Sequence, residues 1–306
     1  MNHSRHNSLN WIEASASVVI ALAAAAVALA FYGATRWARR TRAALRRLEA
    51  ARTPPSRPRY DMRELDGLPA PVQRYFSSVL REGQPIVAAV TLEQTGALNM
   101  SLAGDRWKPF TSLQRIVTSR PGFIWSARIA LLPGFSVYVH DGYVGGTGIL
   151  HAAALGLFTV AELRGRGAIA QGELMRYLAE AAWYPTALLP SQGVHWEAVD
   201  DSAAKATLTD GEIAATLTFR FDTAGLIESV RSEARGRTVG DAIVMTPWEG
   251  RWSNYQERNG MRVPLSGEVA WLLPEGRMSY WRGTVSALAF DFPKEAAGAS
   301  TRTPCP

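Results

Sequence analysis

The sequence predicts an α+β protein: an N-terminal transmembrane helix, then a large, curved, mostly antiparallel β-sheet with two or three helices packed on one face. Three observations carry that expectation. Residues 14–32 hold no charged side chain, most of the chain beyond residue 86 alternates with a period near two, and helical spacing returns only around 69–80 and 172–184.

The first element is ASASVVIALAAAAVALAFY, residues 14–32. At 1.5 Å per residue it spans about 28 Å as a helix, close to the ~30 Å core of a bilayer. A cleaved signal peptide is the competing reading, with Ala28-Leu29-Ala30 as its cleavage site. It needs a basic leading region, and the residues before the span carry only Arg5 and Glu13 as full charges. After the span, ten arginines between Arg36 and Arg63 face only Glu49 and Asp61, a local excess of +8 in a chain of net charge +6. The domain beyond is therefore near neutral and carries no polyanion-binding excess, which excludes nucleic acid as a partner. Lys and Arg flanking a span are retained on the cytosolic side, so we expect a single-pass inner-membrane protein with its domain in the cytosol. Trp37, Ala44, Leu48 and Ala51 recur at helical spacing among the arginines. That pattern suits a helix lying on an anionic leaflet or a solvated basic helix.

TPPSRPR, residues 53–59, cannot continue a helix, because proline lacks the backbone donor and restrains its neighbour. The expected organisation is a leading tail over 1–13, the span over 14–34, a juxtamembrane segment and linker over 35–60, a β-rich domain over 61–293, and a disordered tail over 294–306. Within the domain, Pro69–Leu80 places Val72, Phe76 and Val79 on one helical face. Strand-like runs follow in VAAVTLEQTGAL, RWKPFTSLQRIVTS, FIWSARIAL and FSVYVHDGYV. A second helix is expected over Gly172–Tyr184, ended by Pro185, with Arg176 and Glu180 spaced for an ion pair. Seven further strand-like runs reach Phe290, joined by turns at Thr209-Asp210-Gly211, Asp222 to Gly225 and Arg258-Asn259-Gly260.

The strings LPAPVQRYF (68–76), YVGGTG (143–148), GELMRYLAEAAWYPTALLPSQGVHWE (172–197), PWEGR (247–251) and GMRVPLSGEVAWLLPEGRMSYWRG (260–283) resemble an uncharacterised bacterial, membrane-anchored family built on a domain of unknown function. The resemblance covers most of residues 61–290. It implies membrane association and supplies no catalytic residues.

Chemistry-bearing motifs are sparse. The histidines are His3, His6, His140, His151 and His195, and none pairs with metal-ligand spacing; Cys305 is the sole cysteine, so no metal or other cofactor is expected. No nucleophile elbow occurs, and the glycines of YVGGTG lack the Lys-Ser or Lys-Thr of a phosphate loop and fit a tight turn. What remains is tryptophan, with eight of the ten in the domain. Such rings line sites for apolar and amphipathic ligands, and they also fill cores. Those with polar neighbours give the candidate ligand-binding set: Glu180, Trp183 and Tyr184 at the helix end, His195 and Trp196, and Trp248, Glu249 and Arg251. The expected function is a non-enzymatic module binding a lipid-like molecule between sheet and helices. The alternatives are an enzyme using Glu180, His195, Glu197 or Glu249 as acid or base, and an interaction scaffold without a pocket. Ligand identity and oligomeric state are not encoded in any motif.

Overall fold

The computed structural model describes residues 3–101, 104–240 and 242–293; the expected tail over 294–306, including Cys305, lies outside the described residues. Alanine, leucine and arginine are the strongest helix formers, and they dominate both the apolar span and the basic segment after it. The chain accordingly forms one helix, α1, over His3–Ala50, which stops before the prolines at 54 and 55. Its apolar part is exposed along its length and is long and apolar enough to cross a membrane.

One face of the basic part of α1 packs on the domain, while Arg39, Arg42, Arg46 and Arg47 stay exposed on the other. Gly33 permits the first contact: a Cβ there would stand 2.0 Å from the carbonyl oxygen of Leu155. Trp37 is buried and stacks on His140, ring centres 4.1 Å apart at 18°. Thr41 Oγ1 lies 2.7 Å from His140 Nε2. One turn from the end, Leu48 is sealed among Ala89, Val117 and Ile124, and Glu49 accepts a 2.7 Å bond from Arg115 Nε. The linker is tied down as well, through an Arg59–Pro85 bridge and a bond from Ser56 Oγ to the Ser191 carbonyl.

This docking has a pH signature. Burial, then the nearby His151 and Arg40, push the His140 imidazole down to about 4. The unfolded ring titrates near 6.5, so between about pH 6.5 and 4 the unfolded chain binds a proton that the native one refuses. Stability should fall by up to about 3 kcal/mol as pH drops through that window. Thermal unfolding across a pH series should show it, and His140→Asn should flatten it; an unchanged slope in the variant would refute the assignment.

Thirteen strands form one open antiparallel sheet in the order β6-β5-β4-β3-β2-β1-β13-β12-β11-β10-β9-β8-β7. The first meander comprises β1 (Ala89–Asn99), β2 (Trp107–Val117), β3 (Gly122–Leu132), β4 (Phe135–Val144), β5 (Thr147–Ala154) and β6 (Phe158–Gly165). The second comprises β7 (Val194–Asp200), β8 (Ala203–Asp210), β9 (Ile213–Phe221), β10 (Ile227–Val239), β11 (Ala242–Arg258), β12 (Met261–Leu273) and β13 (Gly276–Asp291). The two join where β13 pairs with β1, from Ala89 opposite Asp291 to Leu98 opposite Trp281. The β11–β12 turn has both central residues at positive φ, Asn259 at 50° and Gly260 at 80°, the geometry that matches strand twist. YVGGTG is the β4–β5 turn, with Gly145 and Gly146 at positive φ.

A row of glycines bends the sheet at its centre. Gly96, Gly283 and Gly267 stand opposite one another across β1, β13 and β12. The Trp281 ring lies over Gly283 and the Trp252 ring over Gly267, each where a Cβ would stand only 2.6 Å away. The sheet thereby wraps round α3 (Ala168–Glu180), which touches β5 of the first meander and β9 of the second. This helix starts four residues before the expected Gly172, just after Gly167 at φ 75°, and tightens into a 3-10 turn over Ala181–Trp183 ahead of Pro185. A second helix, α2 (Ala70–Val79), buries Val72, Tyr75, Phe76 and Val79 in the same inner core. Strand β3 shows both faces at once: Phe123 and Trp125 meet Arg176 of α3, whereas Ile124 between them meets Leu48 of α1.

We call proximal the end of the sheet where α1 leaves it, beside the β5–β6 turn. The register puts the β1–β2 and β3–β4 turns of the first meander at that same end.

Candidate functional site

Helix α3 carries Glu173, Arg176 and Glu180 at spacings of three and four, so all three face the hollow of the sheet. Arg176 sits at the centre. Its Nη1 donates to Asp141 Oδ2 of β4 at 2.6 Å and its Nε to Glu180 Oε1 at 2.7 Å. The guanidinium also lies over the rings of Phe123 and Trp125, at 4.9 and 5.1 Å from their centres. Gln114 of β2 donates to the other Glu180 oxygen at 2.6 Å. Glu173 Oε2 is buried without a partner. Burial, then the charge of Asp141, raises its carboxyl well above the usual range against the opposing pull of Arg235 and Arg176, so Glu173 is held towards its neutral form.

Over this polar floor the inward-facing residues of β10 to β13 build an aromatic wall. Trp248 donates from Nε1 to Tyr280 Oη at 2.9 Å and is covered by Arg235 at 4.8 Å. Trp183, from the 3-10 turn after α3, meets Trp252 edge-on at 4.9 Å, and neither indole N–H has a partner. Between wall and floor lies a cavity of about 120 Å³, reached also by Leu98, Ala179 and Trp281. A second cavity of about 280 Å³ adjoins it, sharing Asp141 and Tyr280 and reaching Gly172, Glu173, Arg237 and Trp271.

Of the residues singled out in the sequence, Glu180, Trp183 and Trp248 meet round this cavity. Tyr184 is fully buried behind it, donating to the Tyr177 carbonyl at 2.8 Å. Trp196 packs in the core against Phe76, Phe219 and Phe221, its N–H on the Leu188 carbonyl. The other three face away, for one reason: a strand alternates. On β11 Trp248 and Trp252 point inward, so Glu249 and Arg251 point outward, where Glu249 pairs with Arg251 at 2.6 Å and with Arg277 at 3.0 Å. On β7 Trp196 is inside and His195 is in solvent. Sequence reasoning missed Asp141, Glu173, Arg176 as the centre, Arg235 and Tyr280. Only Arg176 and Glu180 left a signal, their helical spacing. Among the described residues no group of three or more His, Cys, Asp or Glu side chains is placed to hold a metal ion.

Residues 66–290 match a family model. The chain belongs to DUF6920, a family of unknown function. The DUF6920 match begins after α1 and contains every residue of both cavities. No curated protein matches the sequence. Among solved structures the chain is similar to the LolA superfamily protein NE2245 from Nitrosomonas europaea, with 12% identity and a TM-score of 0.37, over 73% of this chain and 93% of that one. It is also similar to a beta-barrel-like protein of the domain of unknown function DUF1849 from Brucella abortus, with 10% identity and a TM-score of 0.24, over 67% and 98%.

Proposed function

We propose that this DUF6920 protein is a membrane-anchored, non-enzymatic module that holds a lipid-like amphipathic molecule between α3 and the sheet. The observation that carries the reading is the pair of adjoining cavities, walled by tryptophan and floored by paired arginines. The smaller suits a single ring or short chain, and together they reach the roughly 300–1,000 Å³ of ordinary small-molecule sites. Arg176, Arg235 and Arg237 line the two cavities with Asp141, Glu180 and a Glu173 whose burial disfavours its charged form, a balance that favours an anionic headgroup. An acid–base reading would rest on Glu173 or Glu180, since His195, Glu197 and Glu249 point away from the cavity.

A diazirine-bearing phospholipid or fatty acid, crosslinked in membranes containing the full chain, should mark peptides around Trp183, Trp248 and Arg235 as well as α1. Ala179 is buried on the cavity wall, so Ala179→Phe should fill the space and abolish the cavity crosslinks while those on α1 persist. Crosslinks confined to α1 in the unaltered protein would sink the ligand reading. We also assign the domain to the cytosolic side, supported by the +8 flank after the span. Cys305, the sole thiol, should resist a membrane-impermeant maleimide in sealed spheroplasts and react after lysis. Labelling before lysis would put the domain on the exterior side.

A further inference from the structure

Four large apolar side chains left in solvent gather beside the exit of α1. Leu132 and Phe135 flank the β3–β4 turn, and Phe158 and Val160 follow the β5–β6 turn. Two neighbouring hairpins of the first meander thus present exposed hydrophobic tips at the end where α1 leaves the sheet. Isolated surface hydrophobics need no explanation, whereas a cluster on adjacent turns marks an interaction surface.

Helix α1 says what covers it. The helix docks on the outer face with Leu48 near the distal end and Gly33 at the proximal end, its backbone against Leu155 and Gly156. Arg36 Nη1 there donates to the Leu157 carbonyl at 3.3 Å. Going towards the N-terminus, the next residues are Tyr32 and Phe31, both exposed, and then the uncharged stretch back to residue 15. The apolar span therefore starts where the hairpin tips are, with no intervening linker to let the domain swing away. Aromatic rings followed by arginines are the pattern of a membrane–water interface. The same end of the sheet also carries the cavity residues Leu98 and Trp281.

We propose that the proximal end of the sheet is a second membrane-contacting surface: its hairpin tips insert their apolar side chains into the lipid bilayer beside α1, so that the cavities lie next to the acyl region. The occupant is the bilayer rather than another protein. This rests on the reading of α1 as an anchor, and the gain is positional. An amphipathic molecule leaving the leaflet can enter between sheet and α3 without crossing bulk water.

The test uses the full chain with Cys305→Ser and one added cysteine, Phe158→Cys or Leu132→Cys, at solvent-exposed sites where the fold is insensitive. Val199→Cys at the distal end and Val27→Cys within α1 serve as references. Each is labelled with bimane in nanodiscs of phosphatidylethanolamine and phosphatidylglycerol carrying an acyl-chain nitroxide. Positions 158 and 132 should be quenched several-fold more strongly than 199, approaching 27. Quenching at 158 and 132 no greater than at 199 would overturn the docking while a strong signal at 27 leaves the anchor intact. Loss of quenching at 27 would remove the anchor reading itself. Shielding of 158 and 132 from both the nitroxide lipid and aqueous iodide would overturn the proposal in favour of a protein partner.

Discussion

Replacing Arg176 with Met should cost about 3–5 kcal/mol of stability, the penalty of leaving a buried charge unpaired. Arg176 is 16% exposed, Asp141 19% and Glu180 10%, so the substitution strands two carboxylates in a space that water hardly reaches. It also removes the cation from above Phe123 and Trp125. At about 2–4 °C per kcal/mol for a domain of this size, the thermal midpoint should fall by roughly 6–20 °C. Two controls identify the cause. Adding Asp141→Asn and Glu180→Gln to the variant should recover much of the loss, because no charge is then left uncompensated. The penalty of the single variant should also shrink at low pH, where the stranded carboxylates protonate. A loss under about 1 kcal/mol, the range of surface ion pairs, would show that the cluster is hydrated and is no floor to a dry cavity.

Trp183→Ala should lose about 3–5 kcal/mol, as large-to-small changes at buried aromatic sites do. The ring is 1% exposed, contacts Trp252 and already borders empty space, so its neighbours have little to collapse onto and the void should grow. Trp183→Phe should cost much less, since the indole N–H has no partner to lose. Denaturation of the two variants side by side measures the difference. If both lose the same amount, the N–H has a partner in solution that this packing does not show.

Much of the fold is legible because it depends on local signals. The period-two runs, the glycine turns and the helix at Val72, Tyr75 and Phe76 are each set within about ten residues. Strands β5 and β6 escape that reading: Thr147 to Ala154 ends in three alanines, with little β preference, and pairs because β4 offers an edge. The docking of α1 is equally silent in the sequence, since Trp37 and Leu48 at helical spacing suit a leaflet as well as a sheet. The site is legible where it lies on α3 and opaque elsewhere. Neighbours such as Trp248, Glu249 and Arg251 look like one cluster in a string, yet a strand sends them to opposite faces. Asp141, Arg235 and Tyr280 are assembled only by the wrapping of the sheet.

The pairing of β13 with β1 has a consequence for how the chain reaches its native state. Each meander is built from neighbours in sequence and can zip locally, whereas the seam joins segments roughly 200 residues apart, a closure that is entropically slow. During synthesis β1 is complete long before β13 leaves the ribosome, so its free edge and the apolar residues Val90 and Leu92 have no strand partner on that side. That edge is the segment most exposed to mispairing between nascent chains. The seam is also the last contact that the chain can make and the one whose loss would reopen the hollow, so its zipping sets when the tryptophan-lined space comes into being.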